Sequence, residues 1–387
     1  MARALFYLCA AALFLVQAAA GSAVPPPSKL HRAVPARHDQ GASHDERVAA
    51  AMGRYNTTLK SLKGRVACTE EVFETFVLVH GKTYLNVDDR QRRFRVFCDN
   101  MARAHALQQR NPHAQMGVTQ FSDMTRDEFS IMISGKPRAV KHSVRDWAIA
   151  ARYAKNLTLP SDELSALRTK VAAGAAIDWR ARGAVTGVKN QGTCGSCWSF
   201  STTGNIEGVW AINRGQLIAL SEEELVACVP NQGCGGGSMD TAWAWLLDTQ
   251  RGGITGEANY PYVSGQGYIP ACPAGGYPIV AGITSYGNLA QYDEPQMASY
   301  VYSRNPISVG VDADSWQTYN GGVLTSCEAE QMNHAVLVIG FDTSFSPAYW
   351  TIKNSWGPGW GESGYIRIAY GENACMVSTG PCSSVTN

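Results

Sequence analysis

The sequence predicts an α+β protein in two lobes, one helical and one rich in strands, preceded by a separate helical segment. Helix-spaced apolar residues early in the chain, glycine-punctuated β-branched runs late in it, and a reversal of charge between the two carry that expectation. Phe73 and Phe76 share a helical face, and Phe94, Phe97, Met101 and Ala104 recur at spacings of three and four, followed by Leu107, until Pro112 closes the segment. A further helix is expected from Cys197, and Ser221 with Glu224 three residues on has the form of a capping box. Pro306 to Val311, Ala335 to Gly340, Tyr349 to Lys353 and Gly364 to Ile368 read as strands. There is no internal repeat and no low-complexity tract.

With 387 residues and 38 glycines the chain exceeds one ordinary core, which predicts two or three structural units. Arg3, the apolar run from Ala4 to Val16 and the small residues from Ala18 to Ala23 have the layout of a signal peptide over residues 1–20. No later run is long enough to span a bilayer, so no membrane span is expected after its removal. The secretory route is oxidising, so paired cysteines are expected among the eleven present, eight of which lie from Cys194 onward. Sequons at Asn56 and Asn156 agree with that route.

Near-neutral overall charge conceals two opposed halves. Residues 1–172 hold 25 Lys+Arg against 15 Asp+Glu, a net of +10, and the remainder of the chain is at −9. The opposition predicts that the basic half docks on the acidic one. Residues Ser130 to Ala172, with few large apolar side chains and several basic ones, read as an exposed connector. The acidic half lacks both a basic patch and a cluster of histidines, so neither nucleic acid nor a metal is expected, and no cofactor is implied.

The chemistry concentrates in three places. Gln191 to Phe200 is a glycine-rich turn leading into the expected helix, and a thiol at Cys197 would meet unpaired backbone N–H groups and the positive end of the helix dipole. Both favour thiolate. An attacking thiol needs a base, and His334 is the only histidine of the acidic half. Asn354, twenty residues later, would fix the ring of His334 by accepting a hydrogen bond, with Trp356 shielding that bond. Gln191, with the backbone N–H of Cys197, would form an oxyanion hole. Two alternatives stand beside this: Cys194 and Cys197 as a Cys-x-x-Cys redox pair, and a catalytically silent binding relative.

Cys197 lies in Cys194-Gly195-Ser196-Cys197-Trp198, with His334 and Asn354 following at 137 and 157 residues, and on these motifs the chain resembles a precursor of the papain family of cysteine proteases, cathepsin L-like and of the cruzipain type. Arg93, Phe97, Asn100, Ala104 and Gln108 follow the interspersed helical motif of such propeptides from Asp89 on, with Asp89, Ala104 and Gln108 replacing its usual residues. Gly117 to Asp123 matches a second propeptide motif except at Thr119.

The resemblance implies a papain-like fold, with a helical left lobe, a β-barrel-like right lobe and a cleft between them, behind an inhibitory prodomain. It implies a signal peptide at 1–20, a propeptide at 21–172 with its inhibitory part at about 70–130 and connector at 131–172, and a peptidase domain at 173–387. The connector would cross the cleft in the direction opposite to substrate, and processing would fall near Ala173. Implied disulfides are Cys194–Cys234, Cys228–Cys272 and Cys327–Cys375, leaving Cys197 free and Cys382 without an assigned partner. Gly236 and Gly237 would hold extended substrate, and Ser238, Met239, Gly310, Met332 and Gly380 would surround the pocket for the second residue before the cut, favouring Leu or Phe over Arg. The absence of paired histidines of the cathepsin B kind points to an endopeptidase. Implied partners are protein and peptide substrates, the chain's own propeptide as intramolecular inhibitor, and cystatin-like inhibitors. A monomer in a lysosome-like acidic compartment, or outside the cell, is expected.

Overall fold

The first long helices start where short polar side chains can satisfy orphan amides. Thr69 caps the helix Glu70–Val79 and Asn86 the helix Val87–Arg110, their side chains accepting from Val72 N at 3.3 Å and Asp89 N at 2.8 Å. The computed structural model describes residues 44–60, 62, 66–135, 152–273, 276–328 and 331–386. The expected signal peptide lies outside them. Among the described residues two units form, one of Ser130–Ser315 with Gly322 onward, the other running to Phe129 and including Trp316–Gly321.

The second unit is helical. It comprises α1 (His44–Arg54), α2 (Glu70–Val79), α3 (Val87–Arg110) and the short strand β1 (Ala114–Met116), and the boundary with the first unit falls inside α4 (Arg126–Ser134). Phe73, Phe76, Phe97, Met101 and Ala104 form its core, as their spacing predicts. Polar residues of α3, among them the buried Asn100 and Gln108, pin the loop that follows. Arg93 donates two bonds to Glu128 at 2.6 and 3.0 Å and one to the Asp123 carbonyl at 2.8 Å. Asn100 Nδ2 donates to the carbonyls of Ser122 and Met124, and Gln108 bonds the main chain of Ala114 and Met116. Within this unit Gln317 Nε2 also reaches the carbonyls of Phe121 and Met124, and Asn320 Nδ2 that of Val118. A disulfide that the sequence reading did not assign, Cys68–Cys98, joins the approach to α2 to the middle of α3.

The first unit pairs helices with an open sheet. Its elements are β2 (Ala154–Asn156), α5 (Ser161–Ala172), β3 (Ala176–Asp178), α6 (Cys197–Arg214), α7 (Glu222–Cys228), α8 (Met239–Thr249), β4 (Gly253–Thr255), β5 (Ile279–Gly282), β6 (Ser285–Asn288), α9 (Glu294–Ser303), β7 (Ile307–Val311), β8 (Tyr319–Leu324), β9 (His334–Asp342), β10 (Tyr349–Lys353), β11 (Tyr365–Ala369) and β12 (Cys382–Val385). Strand order runs β8-β11-β10-β9-β7-β12-β6-β2, with β3 also on β9, and β4 pairs β5 apart from it. Residues 154–156 form a sheet strand and Ser161–Ala172 a helix whose side chains are largely exposed apart from buried Val171; Leu159 between the two is also buried, and Thr343 Oγ1 donates to the Val171 carbonyl at 2.7 Å. The capping box is half formed: Ser221 Oγ accepts from Glu224 N, but the Glu224 carboxylate takes Thr255 N at 2.8 Å instead.

Candidate active site

Helix α6 is buried from Cys197 to Val209 apart from Phe200, so it lacks an amphipathic stripe and runs through the middle of its unit. Small residues let it approach the sheet: a Cβ on Gly204 would stand 3.2 Å from Leu337 of β9. Ser201 Oγ donates to the Val336 carbonyl at 2.8 Å and Ser308 Oγ to the Ser201 carbonyl at 3.0 Å, fixing the start of α6 against β9 and β7. The Cys197 thiol thereby reaches the backbone N–H of Ala335, the neighbour of His334.

His334 is the first residue of β9, and Asn354 follows the last residue of β10, which runs antiparallel beside it. Their side chains meet: the ring Nε2–H donates to Asn354 Oδ1 at 2.7 Å. Trp356 stacks on the ring with centroids 4.8 Å apart, closing that bond from water. Asn354 Oδ1 also accepts from Ser355 N, and Ser355 Oγ donates to Gln191 Oε1 at 2.6 Å, a link from the amide of the β10 edge to the amide before the thiol. Ser355 carried no signal in the sequence beyond its place between Asn354 and Trp356.

Gln191 Nε2 is occupied by main chain. It donates to the Cys194 carbonyl at 3.0 Å and the Met132 carbonyl at 3.4 Å. Met132 belongs to a buried run, Met132 to Gly135, that lies over the site. Ile133 presents its backbone to His334. Gly135, at φ +78°, approaches so closely that a Cβ would stand 2.5 Å from the Cys234 carbonyl, and one on Gly195 would stand 2.3 Å from Gly135 N. Gly236, at φ +97°, faces the Ser134 carbonyl, 2.8 Å from where its Cβ would be, and a Cβ on Gly237 would collide with Gln232 and the Trp198 ring.

Under this cover, burial opposes the expected thiolate. Burial pushes the Cys197 thiol up to about 11, outweighing the backbone N–H groups of Ala335, Trp198 and Cys197 that favour the ionised form. Burial likewise pushes His334 down to about 4, against the pull of Asn354 and the Ile133 backbone. Both groups are therefore neutral across the physiological range in this state. The helix terminus is present but loses to desolvation.

Around the proposed pocket, Met239 and Met332 are buried, and a Cβ on Gly310 would stand 3.1 Å from Met332 Sδ. Ser238 is turned inward as the cap of α8, accepting from Thr241 N. Gly380 is buried at the approach to β12. Disulfides join Cys194–Cys234, Cys228–Cys272 and Cys327–Cys375, and Cys197 is the free cysteine among the described residues, which removes the redox-pair alternative. Cys382 is buried in β12. Asn56 and Asn156 are both exposed. Among the described residues no cluster of metal-ligating side chains exists and no helix is long and apolar enough to cross a membrane.

Comparison with known proteins agrees with this geometry. The papain family cysteine protease profile matches residues 173–385, and the cathepsin propeptide inhibitor domain (I29) profile matches residues 73–129. A cysteine proteinase of Trypanosoma brucei brucei is 44% identical over 81% of this chain, an alignment that covers 66% of that protein's own length. Cysteine proteinase A of Leishmania mexicana is 41% identical over 81% of this chain and 84% of its own. Among solved structures, digestive procathepsin L 3 of Tenebrio molitor superposes with a TM-score of 0.65 at 34% identity, over 83% of this chain and all of that one. The profile match over residues 173–385 and relatives above 40% identity, with a thiol at a helix start, an imidazole held by an amide and an inhibitor-type profile match ahead of them in the same chain, place the protein in the papain family of cysteine proteases.

Proposed function

We propose that the chain is the zymogen of a cysteine endopeptidase, with Cys197 as nucleophile, His334 as base, Asn354 as the group that orients it, and Gln191 with the Cys197 N–H as oxyanion donors. The observation that carries this reading is main chain, Met132 to Gly135, lying on the Gln191 amide, the His334 ring and Gly236 at once. A substrate strand would use those same groups. Once the cover leaves, water returns to the thiol and ring, and Cys197 passes its proton to His334. The sulfur then attacks the scissile carbonyl, His334 protonates the leaving amine, and a thioester remains. Water, losing a proton to His334, hydrolyses the thioester and restores the thiolate. Each oxyanion donor would contribute roughly a few kcal/mol to the transition state.

Residues 1–20 would be a signal peptide and 21–172 the propeptide, cut near Ala173 in an acidic lysosome-like compartment or outside the cell, with Asn56 and Asn156 as glycan acceptors. Loss of the propeptide's positive charge from the acidic peptidase half would be eased by protonating carboxylates. The pocket formed by Ser238, Met239, Gly310, Met332 and Gly380 would take Leu or Phe. Wild type and Cys197→Ala, acid-treated and exposed to iodoacetamide, test the reading. Labelling at Cys197 with loss of peptide hydrolysis is expected. Hydrolysis that survives Cys197→Ala would overturn it, and an Arg preference at the second position before the cut would overturn the pocket.

A further inference from the structure

The Cys68–Cys98 disulfide closes a separation of 30 residues, with Cα atoms 5.5 Å apart, and it is the one disulfide of the helical unit among the described residues. Cys68 stands immediately ahead of Thr69, the cap of α2, and Cys98 follows Phe97, which is fully buried against Phe73 and Phe76. Both cysteines are themselves partly exposed. The other ties between α2 and α3 are that aromatic cluster and the ion pairs of Arg90 with Glu70 and Glu74. Those charges keep much of their hydration, so the pairs hold weakly. Helix α2 has only ten residues, fewer than a helix needs to persist in water without packing. The covalent link adds to the aromatic packing and the Arg90–Phe73 contact in keeping the start of α2 on α3, by denying the opened chain the freedom of a long loop.

We propose that Cys68–Cys98 is a reduction site at which a dithiol reductant weakens the helical unit and speeds its removal. This rests on the inhibitory role proposed above for that unit. One thiolate of the reductant attacks a sulfur of the pair, the S–S bond breaks, a mixed disulfide forms, and the displaced sulfur takes a proton. The reductant's second thiol then attacks the mixed disulfide and releases the other cysteine, so two electrons and two protons pass to the pair while the reductant becomes a disulfide. The same reducing surroundings keep Cys197 a free thiol. In the catalytic unit Cys194 and Cys375 are buried while their partners Cys234 and Cys327 are partly exposed, and Cys228–Cys272, with Cys272 exposed, is the most open competing target. Because thiolate supplies the attack, the reaction runs faster near neutral pH than in acid, which separates it from activation by acidification.

The full chain carrying Cys197→Ala, digested near neutral pH by a metalloprotease that has no disulfides, tests this. With dithiothreitol, cleavage within residues 66–135 is expected to quicken about tenfold, because proteolysis follows the opened population. Cys68→Ser with Cys98→Ser in the same background is expected to be cleaved at the faster rate with or without reductant. Should that double variant not fold, differential alkylation read by mass on the Cys197→Ala chain decides, with Cys68 and Cys98 expected to be modified before Cys228 and Cys272. Cleavage unchanged after both cysteines are shown to be free, or Cys228–Cys272 opening first, overturns the proposal. Faster cleavage of the otherwise unaltered chain that brings no peptide hydrolysis would instead overturn the inhibitory reading and leave the reduction site standing.

Discussion

Two buried clusters of ionisable groups lie in the catalytic unit, and burial treats them differently. At Cys197 and His334 burial is the dominant influence, pushing the thiol up and the imidazole down and leaving both neutral. Glu207, Glu222 and Lys353 are buried too, and the partly exposed Lys189 places its Nζ 2.7 Å from Glu222 and 3.3 Å from Glu207. Burial pushes Glu207 upward, but Lys189 and Lys353 outweigh it and bring its carboxyl below the ordinary range. Glu222 goes the other way, up to about 8, since burial and the repulsion of Glu207 exceed what Lys189 returns. Charge survives burial where a counter-charge is fixed beside it, and one lysine does not hold two carboxylates.

Removing the counter-charge breaks that contrast most severely. Lys189→Met should leave Glu207 and Glu222 without their shared partner and cost about 3–5 kcal/mol at neutral pH. Urea unfolding of the Cys197→Ala chain reads it, and the loss should shrink toward pH 5 as the carboxylates take protons. A midpoint unmoved at pH 7 would mean that the cluster does not depend on pairing.

The buried Cys197 and His334 predict a pH dependence with a definite sign. His334 sits at about 4 under its cover against an ordinary 6.5, so the cover's stabilisation is complete above about 6.5 and is lost as pH falls toward 4. The gap corresponds to on the order of 3 kcal/mol. Cys197, raised to about 11, contributes fully below its ordinary value of 9.0 and loses its contribution only in alkali, so it plays no part in acid. Hydrogen exchange at Ile133, Ser134 and Gly135 should therefore rise between pH 6.5 and 4 in Cys197→Ala and stay flatter once His334→Gln is added. An equally steep rise in both would assign acid opening to carboxylates alone.

Within the active pair, orientation is separable from charge. Asn354→Ala removes the oxygen that Nε2–H reaches at 2.7 Å and leaves the Trp356 stack in place. The processed enzyme should lose about a hundredfold in kcat with little change in KM, the scale of a misplaced catalytic group. Asn354→Gln should not restore it if the position of the oxygen is what matters.

Much of this was readable in local sequence. Cys197, His334 and Asn354 carry reactive or orienting groups inside distinctive neighbours, and the runs that became β7, β9, β10 and β11 alternate with glycines within a residue or two of their observed ends. What escaped depends on contacts distant in sequence. That the connector would cross the cleft came from the resemblance alone; that Met132 to Gly135 is the stretch of main chain over the site left no residue-type signal except Gly135. The Cys68–Cys98 pairing is set by how α2 meets α3. The helix Ser161–Ala172 buries chiefly Val171, so its apolar spacing is weak, although acidic Asp162 and Glu163 at its start and Lys170 near its end suit its dipole. The thiol's protonation escaped because a helix start is local and its burial is not.

The smallest effect belongs to the charges that keep their water. Arg168 contacts Asp293, and Arg304 lies 2.7 Å from Glu163, joining α5 to α9 with side chains about one third to two fifths exposed. Pairs of this kind contribute roughly 0–1 kcal/mol and are screened by salt. The end of α5 is held instead by buried Val171 and by Thr343, whose N and Oγ1 both bond the Ala175 carbonyl while Oγ1 also bonds that of Val171. Arg168→Ala should thus raise the rate of cutting near Ala173 by less than about threefold, with the difference vanishing in high salt, whereas Thr343→Val should raise it more and without regard to salt. If Arg168→Ala proved the larger, the junction would be held by ion pairs, and the rule drawn from the two buried clusters would not extend to the surface.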